Sequence, residues 1–244
     1  MALYVLSDLH LSTNRKTNKS MEVFGNRWKN YMERIENNWR HLVDPTDTVI
    51  IPGDISWAMT LDEATEDFAY LDSLPGQKII GKGNHDYWWA TQAKATAFFE
   101  KNHFQSIRLL HNNFYTVDSF RVCGSRGWYN DENLGNIPPG TDYHKIVSRE
   151  AIRLGISLSE AEKQNEADGL PLEKLVFLHF PPVFRDFRCR EILDVLHKFG
   201  VRRCFYGHIH GVYDIPGTFH DEDISFTMVS ADHLNFTPLY VPKL

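Results

Sequence analysis

Nowhere in the chain do 18 apolar residues follow one another, so no segment is a candidate for spanning a bilayer. The opening Met1-Ala2-Leu3-Tyr4-Val5-Leu6-Ser7-Asp8 has no basic stretch ahead of its apolar run and soon meets a carboxylate, which predicts a first strand rather than a secretion signal. Cysteine is scarce. Cys123, Cys189 and Cys204 form no C-x-x-C pair and leave one unmatched, which fits a reducing cytoplasm and casts them as small buried hydrophobes rather than a disulfide framework. Lys and Arg never build a stripe, and 32 acidic residues outnumber 26 basic ones for a net charge of −6. Gripping long nucleic acid by counterion release is therefore disfavoured, whereas small phosphorylated substrates remain open. Neither an internal repeat nor a linker is found, so residues 1–244 are expected to form a single domain with one sizeable core.

What the chain does have is histidine, twelve in all, and several stand beside Asp and Asn. Five blocks follow short apolar runs: Asp8-Leu9-His10, Gly53-Asp54, Gly83-Asn84-His85-Asp86, His179, and Gly207-His208-Ile209-His210. Any one of them is ordinary turn or capping chemistry. Nothing in packing demands all five, and strand ends are where open α/β sheets gather ligands. On an extended backbone residues two apart share a side, so Asp8 with His10 and His208 with His210 are each expected to point two donors into one space. Oxygen and nitrogen donors without thiolate suit Mn, Fe or Zn. Asp8, His10, Asp54, Asn84, His179, His208 and His210 are more ligands than one ion needs. They fit two ions about 3.5–4 Å apart, bridged by a carboxylate, with a metal-bound hydroxide attacking phosphorus in line.

Periodicity supplies the frame. Strands are predicted at Leu3–Leu6, Thr48–Ile51, Lys78–Gly81, Lys174–Leu178 and Arg203–Tyr206, with closing strands at Ser225–Ser230 and Leu239–Val241. One helix is expected under the stripe Phe24, Trp28, Tyr31, Ile35, Trp39 and Leu42, and others at Leu61–Leu71, up to Lys101, at Asp142–Glu162, and around Ile192, Val195, Leu196 and Phe199. From Ile107 to Gly124 short strands around an Asn112-Asn113 turn predict an antiparallel part of a mixed sheet. The loop from Ser12 to Lys19 and the stretch 128–172, with its Asn136-Ile137-Pro138-Pro139-Gly140, show no core role and are expected to shape substrate access, the latter as a cap or insertion. Trp57, Tyr87, Trp88, Trp89 and Trp128 fall near the blocks; most are assigned to the core, with one or two available to stack on a flat group.

In order and spacing the five blocks resemble the calcineurin-like metallophosphoesterase superfamily, whose signature is D-x-H, G-D, G-N-H-D or -E, a lone H, and G-H-x-H. The resemblance spans Asp8 to His210 and implies an α/β fold: two mixed β-sheets packed as a sandwich with helices on both outer faces. It implies one metal among Asp8, His10, Asp54 and His210 and a second among Asp54, Asn84, His179 and His208, with Asp54 as the bridge. His85 is then free to assist the leaving group or the transition state, with Asp86 orienting it and His233 the next place to look for an acid. Protein phosphatases of this superfamily continue the second block as G-D-x-V-D-R-G, whereas here it reads Gly53-Asp54-Ile55-Ser56-Trp57-Ala58. That departure argues against a phosphoprotein substrate and favours a bacterial-type phosphohydrolase on a small ester, a phosphodiester by preference. Arg126 stands as a replacement cation for phosphate or, equally, as a surface salt bridge. The alternatives are a nuclease on longer nucleic acid and a non-catalytic scaffold on the same fold; relatives of the second kind lose ligands, and none is lost here.

Overall fold

Along β7 (Glu173–Leu178), Leu175 and Phe177 turn to one face and Val176 and Leu178 to the other, and all four are buried. A strand buried on both faces needs a layer on each side. The same alternation runs through β1 (Leu3–Val5), β2 (Thr48–Ile51), β3 (Gln77–Ile80) and β10 (Arg203–Tyr206). The computed structural model, which describes residues 1–14, 19–128 and 142–243, supplies those layers.

Two mixed sheets lie face to face. The first has the order β13-β1-β2-β3-β4, with β4 at Ile107–Leu109 and β13 at Leu239–Tyr240. The second has the order β11-β12-β10-β7-β6-β5, with β5 at Phe114–Val117, β6 at Phe120–Ser125, β11 at Thr218–Asp221 and β12 at Ile224–Met228. A small hairpin, β8 (Val183–Phe184) with β9 (Phe187–Arg188), stands apart from both sheets. Between the sheets, Val5, Ile50 and Ile79 meet Val122, Leu175, Phe177 and Phe205. Helices α1 (Tyr31–Leu42), α2 (Thr65–Ser73) and α3 (Gln92–Lys101) cover the outer face of the first sheet through Ile35, Trp39, Phe68, Leu71 and Phe99. Helices α4 (Tyr143–Asp168) and α5 (Arg190–Lys198) cover the second through Leu154, Leu158, Ile192 and Leu196. The expected sandwich is the observed one. All three cysteines are buried and free, and among the described residues no helix is long and apolar enough to cross a membrane.

Three expectations need correction. The stripe from Phe24 to Leu42 is not one helix: two 3₁₀ turns, Met21–Phe24 and Asn26–Trp28, precede α1, because Gly25 (φ 114°) and Asn30 (φ 53°) adopt left-handed backbone that an α-helix cannot contain. Phe24 accordingly stays exposed. The antiparallel part begins later than expected. β4 pairs in parallel with β3, Asn112-Asn113 carries the chain from one sheet to the other, and the β5–β6 hairpin turns at Asp118 (φ 52°). Finally, the stretch 128–172 has a core role after all, since α4, capped at Asp142 and ended by left-handed Gly169, buries Val147, Leu154, Leu158 and Ala161 completely. Residues 129–141, with the Asn136–Gly140 part of the expected cap, and residues 15–18 of the Ser12–Lys19 loop lie outside the described residues.

Lys78 shows how the helices are tied to the sheets. Its aliphatic stem is buried in β3, while its ammonium donates to the carbonyls of Asp72, Leu74 and Gly76 at 3.3, 2.6 and 2.9 Å, satisfying orphan acceptors in the last turn of α2 and just past it. Burial pushes that ammonium down to about 8. Lys78→Met keeps the stem and strands the carbonyls, so urea unfolding should register a loss of about 1–3 kcal/mol. From about pH 8 up to the ordinary lysine value of 10.5, the unfolded chain still holds a proton that the folded chain has released. The stability of the wild type relative to the variant should therefore rise across that window. An unchanged midpoint would mean that water caps α2 equally well.

Candidate metal centre

Every residue of the five blocks leaves the carboxyl end of a strand. Asp8 and His10 follow β1, Asp54 follows β2, Asn84 to Asp86 follow β3, His179 follows β7, and His208 and His210 follow β10. Because β1 runs parallel to β2 and β3, and β7 to β10, the ends within each sheet open on one edge. The two edges are stitched together by Ser7, whose N–H donates to Val229 O and whose carbonyl accepts from Ala231 N.

The backbone at the ligands is not extended, as side-by-side pairing at period two would require. Asp8, His10, Asp54 and His208 have φ of 61°, 46°, 52° and 69°, in the left-handed region that L-residues avoid at a cost of about 1–3 kcal/mol each. Hydrogen bonds hold them there: Asp8 N to Gly53 O at 3.0 Å, His10 N to Asp54 O at 2.9 Å, and His208 N to both Asp8 carboxylate oxygens at 3.0 Å. Two glycines allow the loops to touch. A Cβ on Gly83 would collide with Asp54 Oδ1 and the Asp54 amide, and one on Gly207 would collide with Asp8 Oδ2.

The donors converge in two groups. In the first, His10 Nε2 lies 3.2 Å from His210 Nε2 and 3.7 Å from Asp54 Oδ2, while His210 Nε2 lies 3.5 Å from Asp8 Oδ1. In the second, Asn84 Oδ1 lies 2.6 Å from His179 Nε2 and 3.0 Å from His208 Nδ1, and His179 Nε2 is 3.5 Å from Asp54 Oδ2. Two carboxylates are shared: Asp54 Oδ2 lies near His10 and His179, and Asp8 groups both with His10 and His210 and with Asp54 and His179. Asp8 also reaches toward the second group, its Oδ1 standing 3.9 Å from His179 Nδ1.

Charge is the unusual feature. Asp8, Asp54, Asp86 and Asp232 are essentially inaccessible to water, and among the described residues no Lys or Arg forms an ion pair with any of them. Burial, with the neighbouring Asp8 and Asp86 charges, pushes the Asp54 carboxyl well above the usual range. Burial also pushes His10 down to about 3 and His208 to about 4, and holds His179 far below its ordinary value, leaving neutral imidazoles. His210 differs: burial alone would lower it, but hydrogen bonds to Asp232 and Asp8 push it up to about 10. Buried carboxyl groups and, His210 apart, neutral imidazoles converging on one space are what divalent cations would compensate, so the residues present fit a pair of ions.

Around the donors the structure reassigns several side chains. Asp86 does not orient His85. Its carboxylate accepts from the amides of Gly83, Asp54, Ile55 and Ser56 and from Trp88 Nε1, so it shapes the Asp54 loop instead. His85 joins neither donor group. Its amide donates to Asp54 Oδ1 at 2.8 Å, its Nδ1 has no partner, and its ring stands 4.5 Å from Trp57, which in turn stacks on His10 at 4.8 Å. Trp88 and Trp89 are core residues, whereas Tyr87 is exposed. Arg126 is no surface salt bridge: it lies over Trp128 and Phe180, 3.9 Å from buried Glu150, and its carbonyl accepts from the amides of His179 and Phe180. His233 is tied by Nδ1 to Val212 O. Asp232 lies outside every block that the sequence marks. It takes His210 Nδ1 at 2.8 Å, Gly211 N and Tyr213 Oη, fixing the ring so that Nε2 faces the cluster. No spacing rule announces it, because it follows β12 rather than a ligand block.

A family model described as calcineurin-like phosphoesterase matches residues 1–212. No curated protein matches the chain. Similar solved structures include the phosphopantetheinyl hydrolase PptH from Mycobacterium tuberculosis, 15% identical with a TM-score of 0.52 over 98% of this chain and 95% of that one. They also include TT1561 from Thermus thermophilus, 12% identical with a TM-score of 0.54 over 95% and 89% of the two chains. A protein of unknown function from Aquifex aeolicus, AQ665, is 17% identical with a TM-score of 0.50 over 98% and 95%. At these identities the likeness speaks to the fold.

Asp86 and His85, adjacent in sequence, should separate by experiment. Asp86→Asn turns an acceptor into a donor facing buried N–H groups, and should cost about 2–4 kcal/mol in chemical denaturation together with the metal site. His85→Ala, on a half-buried ring with an unpartnered nitrogen, should change stability by less than about 1 kcal/mol. Equal stability of the two variants would return Asp86 to the role of a mere neighbour of His85.

Proposed function

The chain belongs to the calcineurin-like phosphoesterase family, and on that premise we propose that it is a dinuclear metal-dependent phosphohydrolase acting on an ester, a phosphodiester by preference, of a small phosphorylated substrate. The observation that carries this reading is the pair of convergent donor groups sharing Asp54 Oδ2. Asp8, His10, Asp54 and His210 would hold one ion, and Asp54, Asn84, His179 and His208 the other. Manganese, iron and zinc all suit such donors. Two such ions, when bound, supply Lewis acidity at the phosphoryl oxygens and lower the pKa of water.

The chain's own residues do the rest. His85 stands beside the shared carboxylate yet outside both donor groups, which leaves its ring for the substrate. Burial pushes it below its ordinary value. A neutral imidazole still donates one N–H, and its help grows with the charge on the departing oxygen. Beside it, Lys19, Ser20, Val23, Phe24 and Trp57 line an open, largely apolar hollow of about 270 Å³, a fitting place for the carbon part of a leaving group. Ala58, where the protein phosphatases carry Arg, is buried and offers no charge. Arg126, near enough to Asp54 for their charges to interact, is the cation that would meet the substrate's anionic part instead. The net charge of −6 works against long nucleic acid, and the complete ligand set works against a scaffold that has given up catalysis.

Asp54→Asn removes the shared oxygen's charge and should leave at most one ion per chain by metal analysis, whereas Asp8→Asn weakens the first site chiefly. Two tightly held ions and undiminished hydrolysis in Asp54→Asn would refute the bridge. His85→Ala should keep both ions and lose about 10²–10⁴-fold on alkyl esters, but less on nitrophenyl esters, whose leaving group needs no proton. An equal loss on both would assign His85 to charge stabilisation at the phosphoryl oxygens.

A further inference from the structure

On the same strand-end edge as the ligands, a second recess opens between the two sheets. Lys82 follows β3, His111 and Asn112 follow β4, and Arg126 follows β6, while Arg149, Glu150 and Arg153 reach in from α4. Its volume is about 180 Å³, less than the roughly 300 Å³ at which pockets for whole ligands begin. It has room for one group. In an acidic chain this small space collects four cations, Lys82, Arg126, Arg149 and Arg153, against a single carboxylate.

That carboxylate does not satisfy them. Glu150 takes Arg153 at 2.6 Å through Oε1 and stands 3.9 Å from Arg126 through the same oxygen. Arg126 Nε is buried with no acceptor and Glu150 Oε2 with no donor, Lys82 reaches only the carbonyl of Trp89, and Arg149, exposed on α4, has no hydrogen bond or ion pair among the described residues. Like charges gathered in so small a space also repel one another. A cluster required only for folding would be expected to carry its own counter-charges. An oxyanion in the recess would supply the missing acceptor and the missing charge together.

The recess is continuous with the metal centre through its walls. Lys82 is two residues from Asn84, and the Arg126 carbonyl holds the amide of His179. We propose that it is a binding site for a second oxyanion, a phosphate or sulfate group carried by the substrate away from the ester that is cut, so that the preferred substrate is a small bis-anion. This rests on the phosphohydrolase reading for the place of the first phosphoryl group.

The test compares methyl phosphodiesters, and the matching monoesters, whose alkyl arm of three to eight carbons ends in a second phosphate (the bisphosphates) with the same esters lacking it, on the metal-loaded full chain. kcat/KM should favour the bisphosphate by about tenfold or more at one chain length at least. That preference should collapse toward one in Arg149→Glu, which leaves the Arg153–Glu150 pair in place, and in Arg149→Ala/Arg153→Ala. Calorimetric binding of the same compounds reads the preference without turnover. Binding preference in the absence of any hydrolysis would sink the phosphohydrolase reading and leave the recess standing. Hydrolysis with no preference at any length, or a preference that both variants retain, would overturn the recess.

Discussion

Asp8 and Asp54 are buried against each other, and the rest of the molecule arranges itself around keeping two such charges out of water. Either alone costs several kcal/mol to desolvate, and together they repel. The fold meets that cost with imidazoles from both sheets, with amides aimed at Asp8 and Asp86, and with left-handed backbone at four of the ligand positions. Strain and desolvation of this kind persist only where the surrounding structure over-determines them. The sandwich does so here, because each loop at the cluster grows from a strand whose both faces are buried.

The five blocks that converge at the candidate metal centre are legible in the sequence because each is short, sits directly after an apolar run, and uses residue types that packing has little reason to place there. Their conformation is not. Period two belongs to strands, and Asp8, His10 and His208 lie just past the strand ends, where left-handed φ sets the aim of each side chain. The error over Asp86 has a similar origin: adjacency to His85 suggests contact, while its carboxylate turns inward to amides 30 residues or more earlier in the chain. Asp232 is invisible for the opposite reason, since its partner His210 is 22 residues away and only the return of β12 beside β10 brings them together.

Fold-level signals fail where glycine and asparagine override a pattern. The apolar stripe from Phe24 to Leu42 has helical spacing, yet Gly25 and Asn30 break it, and the early turns instead place Trp28 edge-on to His10 and His210. The stretch 128–172 reads as a cap or insertion, with a helix but no core role, because its apolar residues are sparse. Sparse residues suffice for a long helix that needs only one narrow face, and α4 turns that face to the second sheet while its arginines reach the recess.

On the proposed reading, charge distribution is what would let an acidic chain favour phosphorylated ligands without gathering polyanions. At physiological ionic strength fields decay over about 8 Å, so a long nucleic acid samples the surface broadly and meets a net charge of −6. A small substrate experiences something else: a centre where buried carboxylates call for cations, a basic recess on the β3–β4–β6 side, and an apolar hollow beside Trp57 on the other. The four cations of the recess would act inside one screening length of an anion placed there, so their attraction would be local. On that reading selection of size and selection of charge would come from one arrangement, in which the recess and the hollow add to the five blocks residues that lie outside them.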